Sequence, residues 1–239
     1  MRIAILSDIH GNMEALTACW QDLADIAVDT IVCLGDMIGY GPDPDDVICS
    51  VREHNALCCL GNHEWGVAFP EARHWFNHTA LKGVQKTASL LSPESLAFIA
   101  ALPRSLVLEG ARFVHGFPPD SVTTYLFQVE EAQLALWFAQ GEALTFVGHT
   151  HELVLVQYTD TGIEQCELGQ ELVPVPTAPC LFNVGSVGQP RDGNNRAKYA
   201  LWDTQASTVE IRFVAYDIAC TVRKIEARGF PEYYGSRLW

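Results

Sequence analysis

Positive charge is what this 239-residue chain has least of: 15 Lys and Arg stand against 29 Asp and Glu, a formal net charge of −14 at pH 7. A surface that binds nucleic acid or an anionic membrane needs clustered Lys and Arg, so this balance opposes both partners. No apolar run approaches the ~18 residues of a membrane span, and Met1-Arg2 leads straight into a strand-like "IAIL" without a signal-peptide pattern. The eight cysteines form no CxxC pair. Cys19, Cys33, Cys49, Cys58 and Cys59 fall inside apolar segments and read as small buried hydrophobes of a reducing compartment. No repeat, low-complexity tract or Ser/Gly linker divides the chain. The expectation is a soluble cytoplasmic protein folded as a single domain over residues 1–239, with homo-oligomerisation left open.

What is present is an ordinary enzyme composition, 49% hydrophobic and 18% charged, arranged as alternating strand and helix patterns. "RIAILS", "TIVCLG" and "ALCCLG" read as buried strands. Between them "NMEALTACWQDLADIA" and "DPDDVICSVREH" have helical spacing, the second opened by Asp43 and Pro44 at cap and first-turn positions. This βαβαβ run predicts a parallel sheet with its functional groups at the carboxyl ends of the strands. Residues 64–103 read as helices and loops that overhang that edge. Short strands follow, with hairpins expected around Asp160–Gly162 and Thr204–Ser207 and a closing helix that stops at Gly229. The aromatic tail "FPEYYGSRLW" fits against either its own domain or a partner. The fold class is α/β, two stacked sheets with helices outside.

The acids crowd one end: residues 1–60 hold ten Asp and Glu against two Lys and Arg. Such a stretch is either solvated surface or a cation site, and the strand exits decide between them. Asp8 and His10 follow the first strand, Asp36 the second, Asn62 and His63 the third; His115 follows "ARFV", and His149 and His151 follow "ALTFV". A lone Asp or Asn after a strand is ordinarily a turn former. Five exits in succession, each combining Gly with Asp, Asn or His, point to convergence on one edge. Carboxylate, imidazole and amide oxygen suit divalent transition metals, and the lack of Cys in the set disfavours a structural zinc site. Two ions held ~3.5–4 Å apart can share a water, lower its pKa and clamp an in-line displacement at phosphorus. Asp36, a single carboxylate between two strands, is the natural bridge.

The ordered series "DIHGN", "GDMIGYGPDP", "GNHE", "VHG", "GHTH" and "NVGSVGQPRDG" closely resembles the calcineurin-like metallophosphoesterases, with the nearest look to their small bacterial and archaeal YfcE-like members. The resemblance spans roughly Met1 to Arg196 and implies a four-layer αββα sandwich of mixed sheets around a dinuclear centre. By that likeness Asp8, His10, Asp36 and His151 hold one ion, and Asp36, Asn62, His115 and His149 the other. The ions are Mn, Fe, Zn or Ni, with Mn or Fe favoured. The implied activity is hydrolysis of small phosphodiesters or phosphomonoesters, nucleotides among them, by a metal-bridging hydroxide. His63 assists the leaving group, and Glu64 sits behind it as an orienting carboxylate. A dinucleoside-polyphosphate hydrolase or protein phosphatase of the same superfamily is the alternative, although "GDMIGYG" lacks the Arg those branches carry after "GD". A non-catalytic interaction scaffold on this fold is the alternative from another class. The stretches "VHGFPPD", with Pro119 where many relatives have Arg, and "FNHTA" depart from the family on the substrate side. Tyr40, Pro42, His74, His78 and Arg191 lie in loops that border such a site, and Arg191 either contacts phosphate or pairs with Asp192. His54 reads as an ordinary helix-end histidine.

Overall fold

The central strands are buried almost continuously, and successive side chains point to opposite faces, so each sheet presents two oily faces. The computed structural model describes residues 1–239, Thr79 by its backbone alone. In chain order the elements are β1 (Arg2–Leu6), α1 (Met13–Leu23), β2 (Thr30–Cys33), α2 (Pro44–Glu53), β3 (Leu57–Cys58), α3 (Asn62–Ala68), α4 (His78–Ala88) and α5 (Pro93–Ala100). The second half comprises β4 (Ser105–Leu108), β5 (Ala111–Val114), α6 (Glu131–Phe138), β6 (Leu144–Val147), β7 (Leu153–Thr159), β8 (Gly162–Glu167) and β9 (Leu172–Pro174). It closes with β10 (Cys180–Val184), β11 (Ala197–Asp203), β12 (Thr208–Val214), α7 (Ile218–Ala227) and α8 (Glu232–Ser236). Short 3-10 turns at Pro70–Trp75 and Leu126–Gln128 complete it.

Two six-stranded mixed sheets result, in the orders β3-β2-β1-β11-β12-β9 and β4-β5-β6-β10-β7-β8. On β1, Ile3 and Ile5 point into the space between the sheets, where they meet Phe113, Phe146, Phe182 and Trp202. Ala4 and Leu6 point the other way, onto helices α1 and α2. The outer face of the second sheet, through Val114, Val147 and Leu181, is covered by Leu134, Trp137 and Phe138 of α6. Helix, sheet, sheet, helix is the four-layer sandwich expected, with each buried large side chain contributing about 1.5–3 kcal/mol. Strands β1, β2 and β3 run parallel, as do β5, β6 and β10. Six exits therefore arrive at one edge, three from each sheet.

Several local expectations change. Strand β3 is only two residues long, and Asn62 and His63 open a helix rather than finish a strand. Cys49 and Cys166 are exposed; Cys49 lies on the outer face of α2, whose Val47, Ile48 and Val51 turn inward. All eight cysteines are free. Asp43 stands at the N-cap of α2 but makes no cap bond; its carboxylate accepts from Lys224 (2.7 Å) and Arg228 (3.2 Å). The aromatic tail packs on its own chain, with Tyr234 and Leu238 buried beside Phe230 and Ile225. Among the described residues no helix is long and apolar enough to cross a membrane.

Candidate metal centre

The seven predicted ligands meet at the shared edge, all of them buried. The backbone that delivers them is unusual. Asp8, His10, Asp36, His149 and His151 all have φ between +51° and +69°, the left-handed region that disfavours any residue with a Cβ. Beside them Gly11 and Gly35 share this positive φ, at +60° and +112°, whereas Gly61, next to Asn62, serves close approach. Gly61 has an ordinary φ of −93°, yet a Cβ there would stand 2.2 Å from the amide and carboxylate of Asp36.

Each aspartate has one oxygen tied to the protein and one aimed inward. Asp8 Oδ2 accepts from Ser7 Oγ (2.6 Å) and the His149 amide (2.9 Å). Asp8 Oδ1 is buried without a hydrogen-bond partner and lies 3.3 Å from His151 Nε2 and 3.6 Å from His10 Nε2. Asp36 Oδ1 accepts from the His63 amide (2.9 Å). Asp36 Oδ2 faces His115 Nε2 (3.4 Å) on one side and His10 Nε2 (3.8 Å) on the other, which places it between two histidine sets.

Backbone carbonyls set the tautomers. A carbonyl only accepts, so Nδ1 of His10 donates to Ile38 O (3.0 Å), Nδ1 of His151 to Gln189 O (2.6 Å), and Nε2 of His149 to Thr123 O (3.2 Å). The opposite nitrogen of each ring then turns a bare lone pair inward. Nε2 of His10 and of His151 are 3.0 Å apart; Nε2 of His115 is 3.1 Å from both His149 Nδ1 and Asn62 Oδ1. Burial pushes the imidazoles of His149 and His151 down to about 3 and about 4. Burial also opposes charge on His115, but Asp36, Asp8 and Glu64 outweigh it and lift that group to about 9. Converging lone pairs, an orphaned carboxylate oxygen and surplus negative charge make a donor set that fits divalent cations. Three groups have ligand atoms close enough to share an ion: Asp8, His10 and His151; Asp36, His115 and His149; and His10, Asp36 and His63.

His63 borders the centre without a hydrogen bond to either ring nitrogen among the described residues, its Nε2 being 4.0 Å from Asp36 Oδ2. Tyr40 (4.7 Å between ring centroids), His10 (5.0 Å) and Phe76 (6.0 Å) surround it. Burial lowers its pKa to about 3. Glu64 does not reach this ring, contrary to expectation. Its carboxylate accepts from the amides of Asp36 (2.8 Å), Gly61 (3.0 Å) and Ile38 (3.1 Å), so it braces the loop that carries Asp36. Burial and the charge of Asp36 raise this carboxyl, while the amides of Ile38 and Asp36 pull it back toward the ionised form.

The remaining candidates scatter. His54 stacks on Trp20 at 4.1 Å and bonds Ser50 O, away from the centre. His74 is exposed and bonds the Glu71 carbonyl. His78 is exposed and lines a hollow with Tyr40. Arg191 leaves Asp192 to Lys198 (2.8 Å) and reaches Gln189 Oε1 (3.1 Å). Burial raises the Tyr40 phenol, and the neighbouring Arg191 guanidinium pulls it back. Sequence reasoning passed over Tyr125, whose ring stacks on His149 at 3.8 Å, and Trp75, 6.3 Å from the same ring. Neither sits in a motif, so only the fold reveals them.

A domain model described as the calcineurin-like phosphoesterase superfamily domain matches residues 1–207, and the chain belongs to that superfamily. An uncharacterized protein of Methanocaldococcus jannaschii, MJ0912, is 34% identical over 247 residues, covering 99% of this chain and 97% of its own. The crystal structure of a metallophosphoesterase from Sphaerobacter thermophilus superposes with a TM-score of 0.87 at 32% identity, covering 100% of this chain and 98% of that one. The hypothetical protein PH1004 from Pyrococcus horikoshii OT3 shares the fold, with a TM-score of 0.80 at 19% identity over 100% and 97% of the two chains.

Proposed function

We propose that the protein is a metal-dependent hydrolase of small phosphate esters, phosphodiesters foremost. The observation that carries this reading is the inward-facing donor set: one free oxygen on each of Asp8 and Asp36, with imidazole nitrogens turned to the same hollow by carbonyl partners behind them. Asp8, His10 and His151 would hold one ion and Asn62, His115 and His149 the other, with Asp36 available to both. Divalent ions there would polarise the ester and lower the pKa of water for in-line displacement at phosphorus. Mn or Fe suits these oxygen and nitrogen donors.

His63 supplies the protein's own contribution. Its buried ring is neutral near pH 7 in the free protein. An anionic phosphate placed beside it favours the imidazolium, which donates to the ester oxygen and then to the departing alkoxide. Tyr40 and Phe76 fix the ring edge-on and keep it off bulk water. Glu64 is a positioning residue for the Asp36 loop.

Reconstitution with Mn²⁺, followed by an activity screen across phosphomonoesters, linear diesters, cyclic nucleotides and dinucleoside polyphosphates, tests the reading. Turnover of none of them sinks it in favour of a scaffold. Metal analysis of Asp36→Asn adds an independent readout: occupancy should fall at both positions, and two ions retained would remove Asp36 as the bridge.

A further inference from the structure

Residues 208–239 lie outside the stretch matched to the superfamily, yet the chain's last turn returns to the metal centre. Lys224 of α7 pairs with Glu14 (2.5 Å) and Asp43 (2.7 Å), and Arg228 pairs with Asp43 (3.2 Å). These pairs anchor α7 across α1 and α2. The anchoring brings α8 to Tyr40: the Tyr234 ring meets Tyr40 edge-on at 5.0 Å, and Tyr40 in turn lies 4.7 Å from both His10 and His63. Behind His10 the packing of Tyr234 and Leu238 leaves a void of only about 10 Å³.

In front, Arg237 borders two hollows. One, of about 470 Å³, is shared with Tyr40, His78 and Tyr233. The other, of about 350 Å³, is shared with Gln189, Pro190 and Arg191, and the Gln189 carbonyl is the group that orients His151. Four of the eleven arginines, Arg2, Arg112, Arg212 and Arg228, sit against carboxylates, and among the described residues the other seven do not. Arg191 and Arg237 have none within 4.0 Å among the described residues: Arg191 touches the Gln189 side chain, and Arg237 lies over the Tyr233 ring at 5.4 Å. Guanidinium groups without counter-charge beside a phosphate-ester site are suited to bidentate anion recognition.

We propose that the C-terminal helix completes the substrate site, with Arg237 and Arg191 binding a second anionic group on the side of the ester away from the metals. This rests on the phosphoesterase reading and narrows it: the substrate is a phosphate ester bearing a further phosphate or carboxylate. Tyr40 and Tyr233 wall the span between the two anions.

Thymidine 5′-monophosphate and thymidine 3′,5′-bisphosphate differ only by that second anion and make a matched pair of probes. Calorimetry on the Mn²⁺-loaded protein should show the bisphosphate bound about tenfold tighter or more. Arg237→Gln should bring the two within about twofold, and Arg237→Lys should keep part of the preference. Equal affinities in the wild type, or an undiminished preference in Arg237→Gln of unchanged Tm, would overturn the proposal. Thymidine 5′-(p-nitrophenyl phosphate), assayed alongside, separates the two claims. Turnover without the binding preference removes the anion site alone, whereas the preference without turnover of any ester removes the hydrolase and supports the anion site.

Discussion

Replacing Glu64 by Gln isolates what holds the Asp36 loop in place. The wild-type carboxylate answers three buried amides: Oε2 takes those of Asp36 and Gly61, and Oε1 takes that of Ile38. From position N3 of α3 it also reaches back to the residue before the helix, one half of a capping box. Gln keeps the shape and one oxygen, which serves the Asp36 and Gly61 amides, but it turns an NH₂ toward the Ile38 amide. One buried donor then loses its partner and meets another donor, at a cost of about 1–3 kcal/mol. For a domain of this size that is a fall in Tm of roughly 3–9 °C. Glu64→Ala strands all three amides and should cost more, about 3–5 kcal/mol. Thermal denaturation of the metal-stripped protein measures this term, and metal analysis of the reconstituted protein measures the looser Asp36. Glu64→Gln with an unchanged Tm and full metal content would refute the brace. A loss confined to substrates with poor leaving groups would instead restore a role through His63.

His63→Ala should fold and bind both ions, yet lose far more activity on alkyl esters than on p-nitrophenyl esters; equal losses, or a missing ion, would take it out of the acid role. Gly39→Ala puts a Cβ 2.1 Å from His63 Nδ1 on a backbone with φ of +93°, so it should displace that ring and cut kcat while metal content holds. Unaltered kcat would show that the ring position is immaterial. Burial works against the charge on Asp22, but Arg212 and the Tyr199 hydroxyl hold its carboxyl below the ordinary value. A folded pKa below the unfolded one stabilises above the unfolded pKa, and that stability is lost as pH falls through the folded one. Wild type should therefore exceed Asp22→Asn in urea denaturation at pH 7, the gap narrowing below about pH 4; a gap constant down to pH 3 would contradict this.

Strand exits were legible because strands and their polar endings are local signals, and parallel order follows from the βαβ pattern. Asp8, His10, Asp36, Asn62, His115, His149 and His151 could be collected without knowing how they converge. The start of α3 was hidden because glycine is a weak N-cap signal, although the Gly-Asn-His-Glu order already contained the N3 carboxylate. Glu64 could not be assigned from its neighbours in sequence, since two of its partners, Asp36 and Ile38, lie 28 and 26 residues away. The meeting of Tyr40 with Tyr234, or of Tyr125 with His149, is a matter of tertiary packing between segments without shared periodicity. Cys49 misled because a cysteine among apolar residues says nothing of which helix face it occupies.

Five of the inward-facing ligands hang from left-handed backbone, at a cost on the order of 1–3 kcal/mol each. The protein thus stores conformational tension at the very residues proposed to grasp the ions. Glycine is the residue such a backbone prefers, so exchanging His149 for Gly relieves tension while destroying a proposed ligand. At His149 and the other left-handed histidines, His10 and His151, the route to a firmer fold and the route to a working centre diverge. A library selected only for thermal endurance should therefore drift toward glycine there, becoming sturdier and losing its metals together.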